Sequence, residues 1–399
     1  MNYKIRYFFF FTAMILFHLA ANFAHPVTPT IIQQLRLPDY MFGLMLAMMQ
    51  MTNFAFSPFW GKINLYLSSR KSLMICCTGY GLAQLGFACS TTQFAILCFR
   101  AMAGVFTGGI FVSMLTYVVN TARPEDQAKY LTYSATFQAV FGAFGYLIGG
   151  LLGEFSIRAT FFLQAAVLCG AGLMFRLFCI SDERNTEPVS AGMLLKEANP
   201  LNAFRDGKYF MNASFVLLFT INALVNLGNT GFDQVFNYYL KDQLGLTSSY
   251  NGLIKAAVGL TSFLSNMTLC LWIIRRTNTR KSLAVLTGAC ALAAAGTLLP
   301  GSMGLFISFS IGLYACYSIS IPVLQDIVAS QAEPGQKNLV MGFYNATKSL
   351  GSIAGSLMAG FLYGIHVRLP FFCIALVYGL SVAAALGYLK LRKKTDTAV

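Results

Sequence analysis

Residues 93–119, QFAILCFRAMAGVFTGGIFVSMLTYVV, decide the fold class, because this long apolar stretch carries a single charged residue, Arg100. A helix rises about 1.5 Å per residue, so about 20 apolar residues span the hydrocarbon core of a bilayer. Only helices and closed barrels can cross that core, since the backbone finds no hydrogen-bonding partner in lipid. The stretch lacks the alternation of polar and apolar residues that barrel strands show. It is therefore predicted to be a transmembrane helix.

Similar apolar stretches fill most of the chain. The 399 residues are 56% hydrophobic and only 11% charged, with a mean hydropathy of +0.62, whereas soluble domains carry about 25% charged residues. Too few polar side chains are present to solvate a globule of this length, so apolar surface must face lipid. The sequence predicts an all-α membrane protein with twelve transmembrane helices, at roughly residues 7–30, 40–60, 72–90, 93–119, 128–152, 158–180, 209–232, 248–274, 282–299, 303–330, 339–363 and 368–389.

One long polar segment, residues 181–208, interrupts the apolar pattern near the middle of the chain. It separates an N-terminal six-helix bundle (1–180) from a C-terminal six-helix bundle (209–399), and we expect it to be a cytoplasmic linker. The halves are similar, because four sequence pairs recur in the same order about 210 residues apart, which indicates an internal duplication. Two pseudo-symmetric bundles around a central site are therefore predicted. The pairs are Ser68–Leu73 with Asn278–Leu283, Ala122–Pro124 with Ala332–Pro334, Tyr133–Thr136 with Tyr344–Thr347, and Gly149 and Gly153 with Gly360 and Gly364.

The basic residues follow the rule that cytoplasmic loops are rich in Lys and Arg. If the N-terminus is cytoplasmic, the outside loops hold only Arg36, Arg158, Lys241 and Arg368. We therefore expect a multi-pass protein of the plasma (inner) membrane with both termini in the cytoplasm. The formal net charge is +14, but the basic residues lie in short loops rather than on one face, which argues against nucleic-acid binding. The expected surroundings are the lipid bilayer, and the expected state is a monomer.

Polar residues within apolar helices are expensive in a membrane and mark a solute or ion pathway. Asn222, Asn226 and Asn229 lie at i, i+4 and i+7, which places them on one helical face. This face is our best prediction of solute contact. The remaining residues predicted to line a solute cavity are Asn22, His25, Asn53, Arg100, Gln138, Tyr314, Tyr317, Asn345 and Lys348.

A few charged or titratable residues are candidates for proton coupling. A histidine titrates at a pKa of about 6.5, which suits a proton carrier, although one histidine in a membrane helix can equally be a satisfied hydrogen-bonding group. The candidates are His25, Arg100, Asp233 and Asp326. Acidic residues are otherwise scarce in the apolar stretches, and Glu154 ends the fifth predicted helix.

Three motifs of the first half resemble those of one transporter family. The first predicted helix ends in HPVTP (residues 25–29), and the fourth contains RAMAG (residues 100–104). Between the second and third predicted helices, residues 61–71 resemble the loop G-x-L-a-D-R-x-G-R-R/K, with Leu65 in place of the acid. Together with the linker and the repeat, these motifs resemble the major facilitator superfamily over the full length of the chain.

The resemblance implies roles for individual residues. Gly61, Arg70 and Lys71 would form a gating loop, and Arg100 would take part in proton coupling, as in related antiporters. Two plainer alternatives remain open. Arg70 and Lys71 could serve only to anchor the topology, and Arg100 could serve only to bond carbonyl groups of the first helix.

The fifth predicted helix carries glycines at helical spacing. Gly145, Gly149 and Gly153 lie one turn apart, which lets helix backbones approach closely. With Gly150 they are predicted to be helix-packing residues. The run is also similar to the G-P-x-x-G-G signature of drug/proton antiporters, with Tyr146 replacing the proline. The first half therefore looks most like the antiporter type of the superfamily.

No enzyme motif accompanies these features, since the chain lacks G-x-S-x-G, H-E-x-x-H and G-x-x-x-x-G-K-[ST]. We expect a secondary transporter, not an enzyme, without a cofactor or metal ion. The resemblance implies proton-coupled efflux of small amphiphilic or drug-like compounds, with a small-molecule solute and protons as partners. The alternative is a carrier of an anionic or neutral metabolite such as an organic anion or a sugar, because Arg100, Lys255 and Lys348 favour an anion.

Overall fold

In the computed structural model, the described residues are 3–64, 66–182, 208, 210–299, 301–333 and 337–396. Within these ranges the chain forms helices and short connections and contains no strand. The helices are α1 (Tyr3–Ala21), α2 (Thr28–Gln34), α3 (Met41–Ile63), α4 (Ser69–Cys89), α5 (Gln93–Thr121), α6 (Pro124–Phe155), α7 (Ile157–Phe178), α8 (Ala213–Asp242), α9 (Ser248–Ser265), α10 (Leu271–Arg276), α11 (Thr279–Gly296), α12 (Met303–Gln331), α13 (Lys337–Ile365) and α14 (Leu369–Asp396). A π-helical segment, Asn266–Cys270, joins α9 to α10.

The predicted all-α membrane fold is confirmed. Among the described residues, nine helices are long and apolar enough to cross a membrane, and each overlaps one predicted span. The other three predicted spans overlap α3, α11 and α13, which are not among the nine. The number of twelve transmembrane helices therefore stays a prediction. Large apolar side chains on the helix surfaces are exposed, such as Phe94 at 79% and Leu292 at 75%, as expected for lipid-facing positions.

The first predicted helix, residues 7–30, is broken in the structure. α1 ends at Ala21, and after a turn the short α2 begins with Pro29 in its first turn. Proline lacks a backbone N–H and is tolerated in the first turn of a helix, so Pro26 and Pro29 separate the two helices. The break opens the last carbonyl groups of α1 to side chains from other helices.

The described residues fall into two compact units. The first contains the described parts of 1–37, 48–200 and 240–259, and the second contains those of 38–47, 201–239 and 260–399. The units follow the two halves of the sequence, except that the segments 38–47 and 240–259 each belong to the unit formed by the other half. The boundaries at 180 and 209 stay a prediction, and residues 183–207 of the predicted linker lie outside the described residues.

The first unit has an aromatic core. α4 packs against α5 and α7, and α1 packs against α6 and α7. Tyr7, Phe10, Phe17 and Tyr80 are almost completely buried between these helices. In the second unit, α11 packs against α12 and α14. These cores hold the long helices rigidly enough to fix the polar side chains that they carry.

Candidate functional site

The predicted asparagine face of α8 forms a hydrogen-bonded network inside the second unit. Asn222 and Asn226 are buried. The Asn222 side-chain amide donates to the backbone oxygen of Tyr344 at 2.8 Å and to the hydroxyl of Thr347 at 2.9 Å. Asn226 donates to the side-chain oxygen of Asn222 at 3.0 Å, and the Tyr317 hydroxyl donates to Asn226 at 3.0 Å. The network therefore joins α8, α12 and α13.

A carboxylate lies two turns further along the same helix. The Tyr314 hydroxyl donates to Asp233 Oδ1 at 2.8 Å, and Asp233 is half-buried. α8 continues to Asp242, so Asp233 lies about 13 Å from that helix end. The structure thus places Asp233 well inside a candidate membrane span. The predicted span, residues 209–232, ended just before Asp233 and therefore put it near the helix end. Thr230 lies on α8 between Asn226 and Asp233, and its hydroxyl is hydrogen-bonded to the Ser352 hydroxyl of α13 at 3.1 Å.

We define the α8 network as Asn222, Asn226, Asn229, Thr230, Asp233, Tyr314, Tyr317, Tyr344, Thr347 and Ser352. Three buried polar atoms in or beside it have no hydrogen-bond partner within the described part of the chain: Asn229 Oδ1, Tyr344 Oη and Tyr378 Oη. An unpaired buried polar group costs about 1–3 kcal/mol. The network therefore offers both donors and acceptors to a polar solute, together with one carboxylate.

The other predicted residues of the second unit lie apart from this network. Asn345 and Lys348 have exposed side chains on α13. Asp326 is also exposed, near the end of α12 at Gln331. The structure does not bring these three into the hydrogen bonds of the α8 network. Their assignment to a solute cavity or to proton coupling remains a prediction.

Arg100 is buried within the first unit, with 6% of its surface exposed. Its guanidinium carbon lies 4.0 Å from the centre of the Phe87 ring, a cation–π contact. Its Nε atom is buried without a hydrogen-bond partner among residues that the structure describes. A charged group held this way in a membrane helix commonly faces a partner or a hydrated space. The hydrogen bonds to carbonyl groups of α1, which were the alternative role for Arg100, are not among those the structure shows.

Other side chains instead reach the broken end of α1. The Gln164 side chain donates to the Ala20 carbonyl at 2.9 Å, and the Tyr80 hydroxyl donates to the Ala21 carbonyl at 3.4 Å. Gln84 donates to the Tyr80 hydroxyl at 3.0 Å. None of these three residues was predicted from the sequence. The two glutamines within apolar helices could have indicated them, because polar residues are costly in a membrane helix and usually have a structural or functional role.

His25 contacts a residue that distinguishes this chain from the antiporter signature. The His25 ring is stacked on the ring of Tyr146, with centroids 5.2 Å apart and an angle of 17°. The Lys255 ammonium lies 5.7 Å from the centre of the same ring. Lys255 is 5% exposed. The Tyr146 ring is therefore close to two titratable side chains, one on α9 and one in the turn after α1.

The remaining predicted cavity residues of the first unit have local roles in the structure. The Asn22 side chain donates to the backbone oxygen of His18 at 2.9 Å, and Asn53 donates to the Thr107 hydroxyl at 3.1 Å. Gln138 is exposed on α6. It lies one turn before Gly142 on the helical face that the packing glycines occupy. Whether these residues line a solute cavity stays a prediction.

The predicted gating loop is fixed at its second end. Arg70 donates to the Cys179 carbonyl at 3.3 Å, while Lys71 lies in the first turn of α4. Asp182 accepts from the Ser69 backbone N–H at 2.6 Å and also from the Ser69 hydroxyl. An acid from beyond α7 therefore caps α4. A Cβ atom at Gly61 would meet only ordinary contacts. The gating role of Gly61, Arg70 and Lys71 remains a prediction.

α6 approaches two helices closely at the predicted packing glycines. A Cβ atom added to Gly149 would lie 2.5 Å from Phe23 Cα, and one added to Gly145 would meet the Leu19 carbonyl oxygen. Real Cβ atoms do not come this near to backbone, so larger residues would force the helices apart. A Cβ atom at Gly150 would lie 3.1 Å from Gly252 Cα of α9, whereas one at Gly153 would meet the side chain of Val27 and no backbone atom.

The sequence is similar to known membrane transport proteins over most of its length. Residues 10–326 match the Major Facilitator Superfamily. The chain is 21% identical over 375 residues to Multidrug resistance protein 2 of Bacillus subtilis (strain 168), covering 94% of this chain and 92% of that protein. It is 25% identical over 343 residues to the class C tetracycline resistance protein of Escherichia coli, covering 85% and 84%.

Solved structures show the same fold at low sequence identity. The human organic anion transporter MFSD10 (TETRAN) matches with a TM-score of 0.67 and 17% identity, covering 96% of this chain and 100% of that chain. The nucleoside transporter NupG matches with a TM-score of 0.76 and 15% identity, covering 98% and 100%. With a family match over most of its length, the chain belongs to the major facilitator superfamily of membrane transporters.

Proposed function

We propose that this transporter exports small amphiphilic or drug-like compounds in exchange for protons, by alternating access. The bond from Tyr314 to Asp233 inside the α8 network carries the proposal, because it places a carboxylate among neutral donors and acceptors. Such a carboxylate can hold a cationic group in a medium of low dielectric constant, where an unpaired charge is unfavourable. Relatives named as multidrug and tetracycline resistance proteins support export.

Competition between a proton and the solute for one carboxylate would couple solute export to proton uptake. A proton and a cationic solute both neutralise Asp233, so binding of one disfavours binding of the other. This exclusion is what exchange in opposite directions requires. His25, Arg100 and Asp326 are proposed as further members of the proton path, and both His25 and Lys255 lie beside the Tyr146 ring. The asparagines and tyrosines of the α8 network would bind the neutral part of the solute.

A second function is supported by the cations. Arg100 is buried with an unpaired Nε atom, and Lys255 is buried near the Tyr146 ring. With the exposed Lys348 these groups would favour an anionic solute. One similar structure is that of a protein named as an organic anion transporter, and another is that of a nucleoside transporter. The alternative is therefore a carrier of an anionic or neutral metabolite, such as an organic anion or a sugar.

The distribution of basic residues supports a proposal for the orientation of the protein in the membrane. The scarcity of Lys and Arg in alternate loops supports both termini in the cytoplasm. We propose that the protein acts as a monomer in the plasma (inner) membrane and moves solutes without changing them chemically.

The test is stabilisation of the purified protein by lipophilic cations, organic anions and nucleosides or sugars. A ligand at 100 times its dissociation constant stabilises the folded state by about 2.7 kcal/mol, which thermal unfolding detects. We expect lipophilic cations to stabilise the wild type and Asp242→Asn, which changes an acid at the end of the same helix. They should not stabilise Asp233→Asn. Stabilisation by one anion class, unchanged in Asp233→Asn and lost in Arg100→Ala, would favour the metabolite carrier instead.

A further inference from the structure

Within the first unit, α6 from the first half of the sequence packs on α9 from the second half. A Cβ atom at Gly150 would lie 3.1 Å from Gly252 Cα, and one at Gly252 would lie 2.6 Å from the Tyr146 carbonyl oxygen. The two helices therefore touch through their backbones. We call this contact, from Tyr146 to Glu154 on α6 and from Ser248 to Gly252 on α9, the α6–α9 seam.

A carboxylate closes one end of this seam. Glu154 is the last residue but one of α6, and its Oε1 atom accepts from the Ser249 backbone N–H at 3.0 Å. Ser249 lies in the first turn of α9, where backbone N–H groups have no partner within the helix. An ionised carboxylate at this position is also favoured by the helix dipole. Glu154 thus fastens the end of one helix to the start of the other.

The charged groups around Glu154 favour its ionised form. Lys241 at the end of α8 and Arg158 in the first turn of α7 line the same open cavity of about 390 Å³ as Glu154. The other polar residues that line this cavity are uncharged: Thr30, Gln34, Ser156, Thr247 and Ser248. Glu154 itself is exposed. A proton from the surrounding water can therefore reach the carboxylate while the seam is closed.

The second unit has a glycine contact of the same kind but a different acid contact. A Cβ atom at Gly43 of α3 would lie 2.8 Å from Gly360 Cα of α13, another backbone contact between the two sequence halves. Just before α3, the exposed carboxylate of Asp39 accepts from the Tyr238 hydroxyl of α8 at 2.7 Å. Asp39 therefore joins α3 to α8, whereas Glu154 joins the two helices of its own glycine contact.

We propose that Glu154 is a proton-titrated positioning residue of the transport cycle. The ionised carboxylate holds the start of α9 on α6, and protonation weakens this bond, because a hydrogen bond to an ionised acceptor is about twice as strong as one to a neutral acceptor. The proposal rests on the proposed function only in that α6 and α9 must separate during alternating access. The fastening itself can be measured without transport.

The experiment is hydrogen exchange of the Ser249 amide in the full chain in lipid nanodiscs, at pH 7.5 and pH 3.0. The lower value is needed because the Ser249 N–H, Lys241 and Arg158 favour the ionised carboxylate, which would remain largely charged at pH 4.5. Rates are corrected for the intrinsic pH dependence of amide exchange. We expect protection in the wild type to fall about 3- to 10-fold at the lower pH, because the 1.5–3 kcal/mol of a charged hydrogen bond is about halved when the acceptor becomes neutral. Glu154→Gln should show the low protection at both values. Asp39→Asn is the matched control and should keep the wild-type profile at Ser249.

A second variant guards against a folding failure of Glu154→Gln. Glu154→Asp keeps the charge on a shorter side chain, so its Ser249 protection should be weaker but should still depend on pH. Protection that does not change with pH in the wild type, or wild-type protection in Glu154→Gln, would overturn the proposal. If the exchange results hold but solute transport does not respond to Glu154→Gln, the bond exists but has no part in the transport cycle, so this proposal is overturned while the proposed function stands.

Discussion

The two units treat their intramembrane charges differently. In the second, Asp233 is bonded to Tyr314 and lies along the same helix as paired asparagines. In the first, Arg100 lies over the Phe87 ring with an unpaired Nε, while neighbouring glutamine and tyrosine side chains bond the end of α1. One unit has a hydrogen-bonded acid, and the other has a base held by an aromatic ring.

Packing, by contrast, is shared by the two units. In the first, glycines of α6 meet carbonyl oxygens four residues apart at the end of α1 and in the turn that follows it. In the second, glycines of α13 meet carbonyl oxygens four residues apart on α8. The pairs are Gly145 with Leu19, Gly149 with Phe23, Gly351 with Ala223, and Gly355 with Leu227. The comparison indicates that the duplicated halves retained the close helix contacts and diverged in the polar chemistry between the helices.

The largest effect should come from breaking the shared packing. We expect Gly149→Leu and Gly355→Leu each to destabilise the protein by about 3 kcal/mol or more, because a side chain at either position overlaps backbone. The measurement is the yield of folded protein and its thermal unfolding. Gly364→Leu is the control, since a Cβ there meets nothing within 4 Å. Normal yield and activity of Gly149→Leu would refute close packing as a requirement.

The next effect sharpens the contrast between the acid and the base. We expect Arg100→Ala to reduce transport to background while expression stays intact, because the buried charge faces no fixed protein acceptor at its Nε atom. Transport into vesicles and membrane expression are the measurements. Arg275→Ala, which removes an exposed cation, should transport normally. Full transport by Arg100→Ala would show that the base of the first unit has only a structural role.

A smaller effect is expected within the α8 network. Tyr314→Phe removes the donor to Asp233, and we expect solute affinity to fall about 2- to 10-fold, the range of one ordinary hydrogen bond. Tyr317→Phe removes the donor to Asn226 and serves as the comparison, because it leaves the carboxylate bonded. The measurement is the dissociation constant of the stabilising cation for each variant, taken from binding isotherms. Equal losses in the two variants would mean that the carboxylate has no special role in binding.

Much of the fold was predictable because it depends on local sequence. Hydropathy alone placed the long helices, and the glycine spacing of α6 marked a helix face that the structure finds packed against backbone. The pairings Tyr314–Asp233 and Tyr317–Asn226 could not be predicted, since they depend on which helices become neighbours. The break between α1 and α2 was signalled by prolines but outweighed by the continuous apolar run.

The glutamines of the first unit were missed for a different reason. Gln84 and Gln164 carry no charge and stand singly in apolar helices, whereas the asparagines of α8 repeat at helical spacing and so attract notice. Their role in hydrogen bonding near the end of α1 can be recognised only when α1 is known to end at Ala21. The first unit therefore holds the end of its broken helix with neutral side chains, by the same type of bond that Asn222 of the α8 network makes to the Tyr344 carbonyl.

Gln164→Leu tests that feature and should have the smallest effect. The substitution removes the 2.9 Å bond to the Ala20 carbonyl while keeping a similar side-chain volume. Interhelical hydrogen bonds in membranes average about 0.6 kcal/mol, so we expect a loss of stability of that size. Gln33→Leu, at an exposed position of α2, is the control for the change in polarity. Hydrogen exchange at residues 19–23 should rise in Gln164→Leu alone. If exchange at this end of α1 were unchanged while transport fell, Gln164 would act on the solute path and not on the end of α1.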